Sequence, residues 1–171
     1  FSDNALFLHG VPFRVWGKTE KSCKSISVCV SKENKVFSSV ILTVKNGVFD
    51  GVLPAVPAGL NYTITYVCGG KTHTINNVAF GEVFLAGGQS NMGWRMFQCY
   101  NKDMSLLYQK EIDTSFNPAI RMYGVLRKYS DHRTREVQAS FSNGWQEANP
   151  QSVADFGAVA YFFAQRMWEL C

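Results

Sequence analysis

The sequence predicts a mixed α/β fold in two parts: an antiparallel β-sandwich over residues 1–79 and an incomplete layered α/β/α domain over residues 80–171. Three observations carry that expectation. Apolar residues alternate with period two up to about residue 80, the pattern of strands with one buried face. A continuous apolar run, Val83-Phe84-Leu85-Ala86, then opens onto a polar, glycine-rich turn. From Phe156 to Leu170, apolar residues recur at three- and four-residue steps, the period of a helix.

In the first part, Ile26, Val28 and Val30 alternate with Ser25, Ser27 and Cys29, and Val40, Leu42 and Val44 with Ile41, Thr43 and Lys45. Tyr62, Ile64 and Tyr66 alternate in the same way with Thr63, Thr65 and Val67. Turn residues fall between these runs at Glu33-Asn34, Asn46-Gly47, Asp50-Gly51, Pro57-Ala58-Gly59 and Gly69-Gly70. Short strands at this spacing suggest a small sandwich.

After residue 80, the run at 83–86 fits a strand buried on both faces of a parallel sheet. Residues Met92 to about Lys110 mix loop and helix, Ile120–Val125 reads as a second strand, and 127–150 as a charged loop holding Trp145. Ser152-Val153-Ala154-Asp155 has the spacing of a helix-start capping box. Phe156, Val159, Ala160, Phe163, Met167 and Leu170 then form one apolar helix face. Two parallel strands cannot cover two such helices, so half of a layered domain is expected outside these 171 residues. A start at Phe1 without Met, no visible signal peptide and a last helix without a stop residue agree with a truncated chain.

Composition excludes several classes. With 46% apolar and 18% charged residues, the chain is neither disordered nor a coiled coil. A net charge of +4, scattered along the chain and without a recognition motif, gives no ground for nucleic-acid binding. No apolar run approaches the roughly 20 residues needed to span a bilayer. The five cysteines contain no Cys-x-x-Cys, so no metal site is expected. An odd count leaves a thiol free or a partner missing. One glycosylation sequon, Asn61-Tyr62-Thr63, together with the cysteines, leans towards a secretory, lysosomal or extracellular location.

The chemistry is expected at Gly87-Gly88-Gln89-Ser90-Asn91-Met92. Parallel α/β proteins bind ligands at the carboxyl ends of their strands. A serine on such a turn can present its hydroxyl above the sheet, and backbone N–H groups beside it can hold an oxyanion. The turn is neither a P-loop nor G-x-S-x-G, since Met92 stands at the second glycine position.

The stretch Gly81-Glu82-Val83-Phe84-Leu85-Ala86-Gly87-Gly88-Gln89-Ser90-Asn91-Met92 resembles the nucleophile block of sialate O-acetylesterases, within the SGNH hydrolase superfamily. The resemblance runs on in order: Phe1-Ser2-Asp3 and Val15-Trp16-Gly17 resemble the family's start, and Leu53-Pro54, Gly59 and Asn76-Asn77-Val78 its β-domain ending. Trp145 and Phe156-Gly157-Ala158-Val159-Ala160-Tyr161-Phe162-Phe163 resemble its later strand–helix region. It implies an SGNH-type layered domain and a serine esterase that removes acetyl groups from sugar hydroxyls. Ser90 would be the nucleophile, with Gly88, Gln89 and Asn91 shaping the turn or its oxyanion site. The implied partners are an O-acetylated sugar, sialic acid or another glycan, and water; no metal or organic cofactor is implied.

The chain also departs from the family. None of its six aspartates is followed three residues later by histidine, so the family's Asp-x-x-His base is missing. The family's Gly-Gly oxyanion segment would begin just beyond Cys171, and Ala86 and Gly87 stand where Cys and Ser are common. The base is therefore expected on the remainder of a longer protein or on a second, processed chain. Among internal candidates, His9 and His73 read as exposed or structural, and His132 as a solvated loop residue. Trp94 and Phe97 could stack against a sugar, although core positions are the commoner outcome. Arg121, Arg127, Lys128, Arg133 and Arg135 could attract a sialic-acid carboxylate, a solvated charged loop being commoner. The competing reading is a glycan- or partner-binding protein without catalysis.

Overall fold

The computed structural model describes residues 1–126, 129, 131–132, 138–140 and 144–170. The chain forms two compact units, Phe1–Val83 and Phe84–Cys171, which together make a mixed α/β protein.

The first unit contains seven strands among the described residues: β1 (Leu6–Leu8), β2 (Phe13–Lys18), β3 (Ser25–Lys32), β4 (Lys35–Thr43), β5 (Val48–Leu53), β6 (Gly59–Cys68) and β7 (Lys71–Gly81). Five form a sheet in the order β1-β7-β6-β3-β4, and β2 and β5 pair as a separate antiparallel ribbon. The alternation read from the sequence sets which face is buried. Ile26, Val28 and Val30 of β3 and Tyr62, Ile64 and Tyr66 of β6 enter one core with Phe13, Val15, Phe49 and Leu53 of the ribbon. Glu33-Asn34, Asn46-Gly47 and Gly69-Gly70 all have positive φ. This conformation lets a two-residue turn follow the twist of its strands. Cys23 and Cys68 form a disulfide with their Cα atoms 6.1 Å apart.

Two readings of this unit need correction. Asp50-Gly51 is no turn but lies inside β5, where Asp50 pairs with Arg14 of β2. The glycine there answers a packing need, because a Cβ at Gly51 would collide with the Leu42 side chain. The sheet is also not wholly antiparallel, since β1 joins β7 in parallel, Leu6 opposite Ala79. Phe7 of β1 then stacks within the Phe13–Phe80 aromatic cluster.

The second unit contains α1 (Gln109–Asp113), β8 (Asn117–Met122), β9 (Gln146–Ala148), α2 (Pro150–Ala154) and α3 (Ala158–Leu170). Its core gathers Met96, Ile112, Ile120, Met122, Ala148, Val153, Ala158 and Tyr161. Here the structure departs further from expectation. Val83–Ala86 forms no strand, and Leu85 is 94% exposed. A strand is defined by its hydrogen-bonded neighbours, and none pairs with this run among the described residues. Strand β8 begins three residues earlier than read and pairs antiparallel with β9, inside the stretch taken as loop.

The capping box is also displaced. Asn149 is the N-cap of α2, accepting from the N–H groups of Gln151 and Ser152, both at 3.1 Å, with Pro150 in the first turn. Asn followed by Pro supplies a side-chain acceptor and a preset φ, which outcompetes the Ser152 start. Asp155 instead closes α2. On α3 the predicted apolar face is largely open, with Val159 and Phe163 exposed, while Ala158 and Tyr161 are buried.

Candidate active site

Ser90 opens a short 3₁₀ turn, Ser90–Gly93, after an extended Gln89. The Met92 N–H donates to the Gln89 carbonyl at 3.1 Å and closes the turn. Gly88 and Gly87 differ in what they permit. A Cβ at Gly88 would come within 2.6 Å of Met92 Cγ, whereas one at Gly87 would meet nothing. Gly88 thus lets Met92 fold back under the turn.

Gly88, Gln89, Ser90, Asn91 and Trp94 are brought together by being neighbours in the chain, whereas tertiary contacts anchor the segment from Trp94 onward. The Ala158 N–H donates to the Trp94 carbonyl at 2.8 Å, and the Met96 N–H to the Phe156 carbonyl at 3.0 Å. Between these bonds Arg95 faces Gly157 in an antiparallel bridge, and its guanidinium pairs with Asp155. Met96 is fully buried beneath. A Cβ at Gly157 would stand 3.1 Å from the Met92 carbonyl. Segment 94–98 is thereby strapped to the entrance of α3, which fixes the carboxyl end of the Ser90 turn. Sequence reading missed this strap, although Arg95 and Asp155 carry opposite charges.

Ser90, Gln89 and Asn91 are exposed, and the Ser90 hydroxyl has no hydrogen-bond partner among the described residues. Trp94 is 52% exposed and Phe97 is also exposed, so neither is the core residue that aromatic statistics favour. Their neighbour Met96 takes the core position, and Trp94 contributes its backbone carbonyl to the strap.

No histidine is hydrogen-bonded to Ser90 among the described residues. His9 Nε2 lies 3.0 Å from Glu82 Oε1, and the His73 ring sits 6.2 Å from that of Tyr66, both within the amino-terminal unit. His132 is exposed in the second unit. Arg121 is neither solvated nor open to a ligand carboxylate. Its buried guanidinium lies 3.0 Å from Glu147 Oε1 across the β8–β9 ladder, and burial pushes its pKa down against the opposing pull of Glu147. Arg127, Lys128, Arg133 and Arg135 lie outside the described residues, as does Cys171. Cys29 and Cys99 are free thiols.

Asn61 is exposed in the first unit, with φ 62° beside an irregularity in the β6–β7 register. Among the described residues, no cluster of three or more His, Cys, Asp or Glu could hold a metal ion, and no helix is long and apolar enough to cross a membrane.

No protein-family model and no curated protein matches the chain. Among solved structures it is similar to a carbohydrate acetylesterase from Xanthomonas citri, at 26% identity and a TM-score of 0.77. The alignment covers 97% of this chain and 35% of that one, so the chain spans about a third of that protein's length. A protein from Bacteroides vulgatus aligns at 9% identity and a TM-score of 0.33 over 95% of this chain and 38% of that one, a likeness too slight to argue from. The Xanthomonas likeness, at that identity over almost the whole chain, supports a relationship to carbohydrate esterases.

Proposed function

We propose that this chain is the amino-terminal portion of a carbohydrate O-acetylesterase, with Ser90 as its nucleophile. The reading is carried by the 26% identity to a carbohydrate acetylesterase over 97% of the chain. The Gly-Gln-Ser-Asn-Met turn and its strap onto α3 support it. In finer terms we read the first unit as a β-sandwich, the second as the opening half of an SGNH-type layered domain, and sialate esters as the leading substrates among acetylated glycans.

Ser90 Oγ attacks the acetyl carbonyl while a base removes its proton. The C–O bond to the sugar breaks, the sugar oxygen takes that proton, and an acetyl-serine remains. Water then attacks the acetyl-serine, releasing acetate and restoring the hydroxyl. Backbone N–H groups of the turn, with Gln89 or Asn91, hold the charge that develops on the carbonyl oxygen. The base is an Asp-x-x-His pair supplied from outside these 171 residues, on the same polypeptide or an associated chain. A disulfide in the first unit and an exposed Asn61 sequon support an oxidising, secretory setting.

Acetate release from O-acetylated sialic acid by the full-length polypeptide tests the reading. Ser90→Ala is expected to lower it by at least a thousandfold, the scale of losing a nucleophile. Release that survives the substitution refutes Ser90. Absence of release on every acetylated glycan favours a binding protein.

A further inference from the structure

The amino-terminal unit holds a cleft of 760 Å³, whose walls come from the β2–β5 ribbon, the β6–β7 hairpin and the segment after β2. That volume lies in the range of small-molecule sites, roughly 300–1,000 Å³. We propose that this cleft binds carbohydrate, taking a pyranose unit of a glycan chain stacked on Trp16 and hydrogen-bonded by Glu20, Lys71 and Thr72.

The chemistry of the walls selects the ligand. Trp16 lies on the outward face of β2 and is 38% exposed, with the Phe1 ring packed edge-on against its indole at 4.6 Å and the rest of the ring open to a ligand. Phe49 and Tyr66, with ring centroids 5.9 Å apart, are core residues that close the bottom of the cleft rather than part of the open Trp16 surface. Glu20 and Lys71 pair on the rim, and Thr72 also lines the cleft. A pyranose has an apolar C–H face and an edge of hydroxyls that both donate and accept, so it matches an aromatic wall with a mixed-sign rim. A lipid chain would desolvate the charged rim without pairing it. A phosphate would meet the Glu20 carboxylate on the same rim, and of the two lysines lining the cleft Lys71 is already paired with it.

The cleft is also preorganised. The Cys23–Cys68 disulfide and the Glu20–Lys71 pair both tie the segment after β2 to the β6–β7 hairpin. The Thr19 N–H further donates to the Gly47 carbonyl at 2.8 Å. Gly17 has no side chain, and a Cβ there would come within 2.8 Å of the Phe49 ring. Its absence lets that ring lie against the strand. Holding the walls in place before binding lowers the entropy lost when ligand enters.

Binding here stands apart from the esterase reading, and ester-free sugars keep the two distinguishable. Calorimetric titration of the full-length polypeptide with lactose, xylobiose and 3′-sialyllactose is expected to show saturable, millimolar binding of at least one. Trp16→Ala should weaken it at least tenfold, and the near-isosteric Thr72→Val roughly fivefold, the scale of one hydrogen bond. Ser90→Ala should leave it unchanged. Circular dichroism of both cleft variants checks that the fold persists. No saturable binding of any of the three sugars overturns the proposal, as does binding that neither cleft substitution weakens.

Discussion

Gly51 shows how one residue can mislead a sequence reading. Asp-Gly is a strong turn signal, yet this pair lies in mid-strand, laddered with β2, and the glycine is there because the Leu42 side chain fills the space above residue 51. Such a requirement comes from a residue elsewhere in the chain and leaves no local trace. Gly51→Ala is expected to destabilise the first unit by about 2 kcal/mol through overpacking, read as a lowered urea midpoint. Arg121 is a similar case: its neighbours in sequence suggest a solvated charge, but β8 carries it inward opposite Glu147. Glu147→Ala leaves the buried guanidinium without this carboxylate and should cost about 3 kcal/mol by the same measurement. At Tyr66, burial pushes the phenol from 10 up to about 12. The unfolded chain therefore loses this proton first, so the contribution is full below pH 10 and is lost as pH rises towards 12. Urea midpoints at about pH 9 and about pH 11 should diverge less in Tyr66→Phe than in the natural chain.

At the scale of elements, what was legible depended on how local its cause is. Alternation in β3, β4 and β6 is written residue by residue, and their buried faces follow it. Hairpin turns at Glu33-Asn34 and Gly69-Gly70 are marked locally by Asn34 and the two glycines, residues that accept positive φ. The run at 83–86 has a strand's composition, but forming a strand depends on partners that composition does not specify. The start of α2 fell between two adjacent candidates, and the hydrogen bonds of Asn149 decide it. Asn149→Ala is expected to cost about 1 kcal/mol, measured by thermal or urea unfolding. The turn after β7 was legible as a turn because Gly88 carries its geometry in sequence. Its strap was not, since Arg95 and Asp155 are separated by 60 residues. Being half-exposed, that pair should contribute under about 1 kcal/mol to stability. Asp155→Asn is therefore expected to lower acetate release by the full-length protein with little loss in melting temperature.

For the whole molecule, the first unit is closed by a covalent cross-link that the cysteine count alone could not assign. Joining residues 45 apart, it should stabilise by about 4 kcal/mol on loop entropy, so Cys68→Ala should unfold the unit at markedly lower urea. The likeness to a carbohydrate acetylesterase extends over both units, yet only the second carries the serine turn. We therefore propose two roles for the molecule: sugar capture by the cleft of the first unit, and ester chemistry at Ser90 once a base is supplied. The second role is central, and covalent trapping reaches it most directly. The full-length polypeptide is treated with a serine-directed phosphonate, digested and analysed by mass spectrometry. The account predicts one adduct, on the peptide containing Ser90, appearing together with loss of acetate release. An adduct on another serine that abolishes release, or labelling and release that persist in Ser90→Ala, would contradict it.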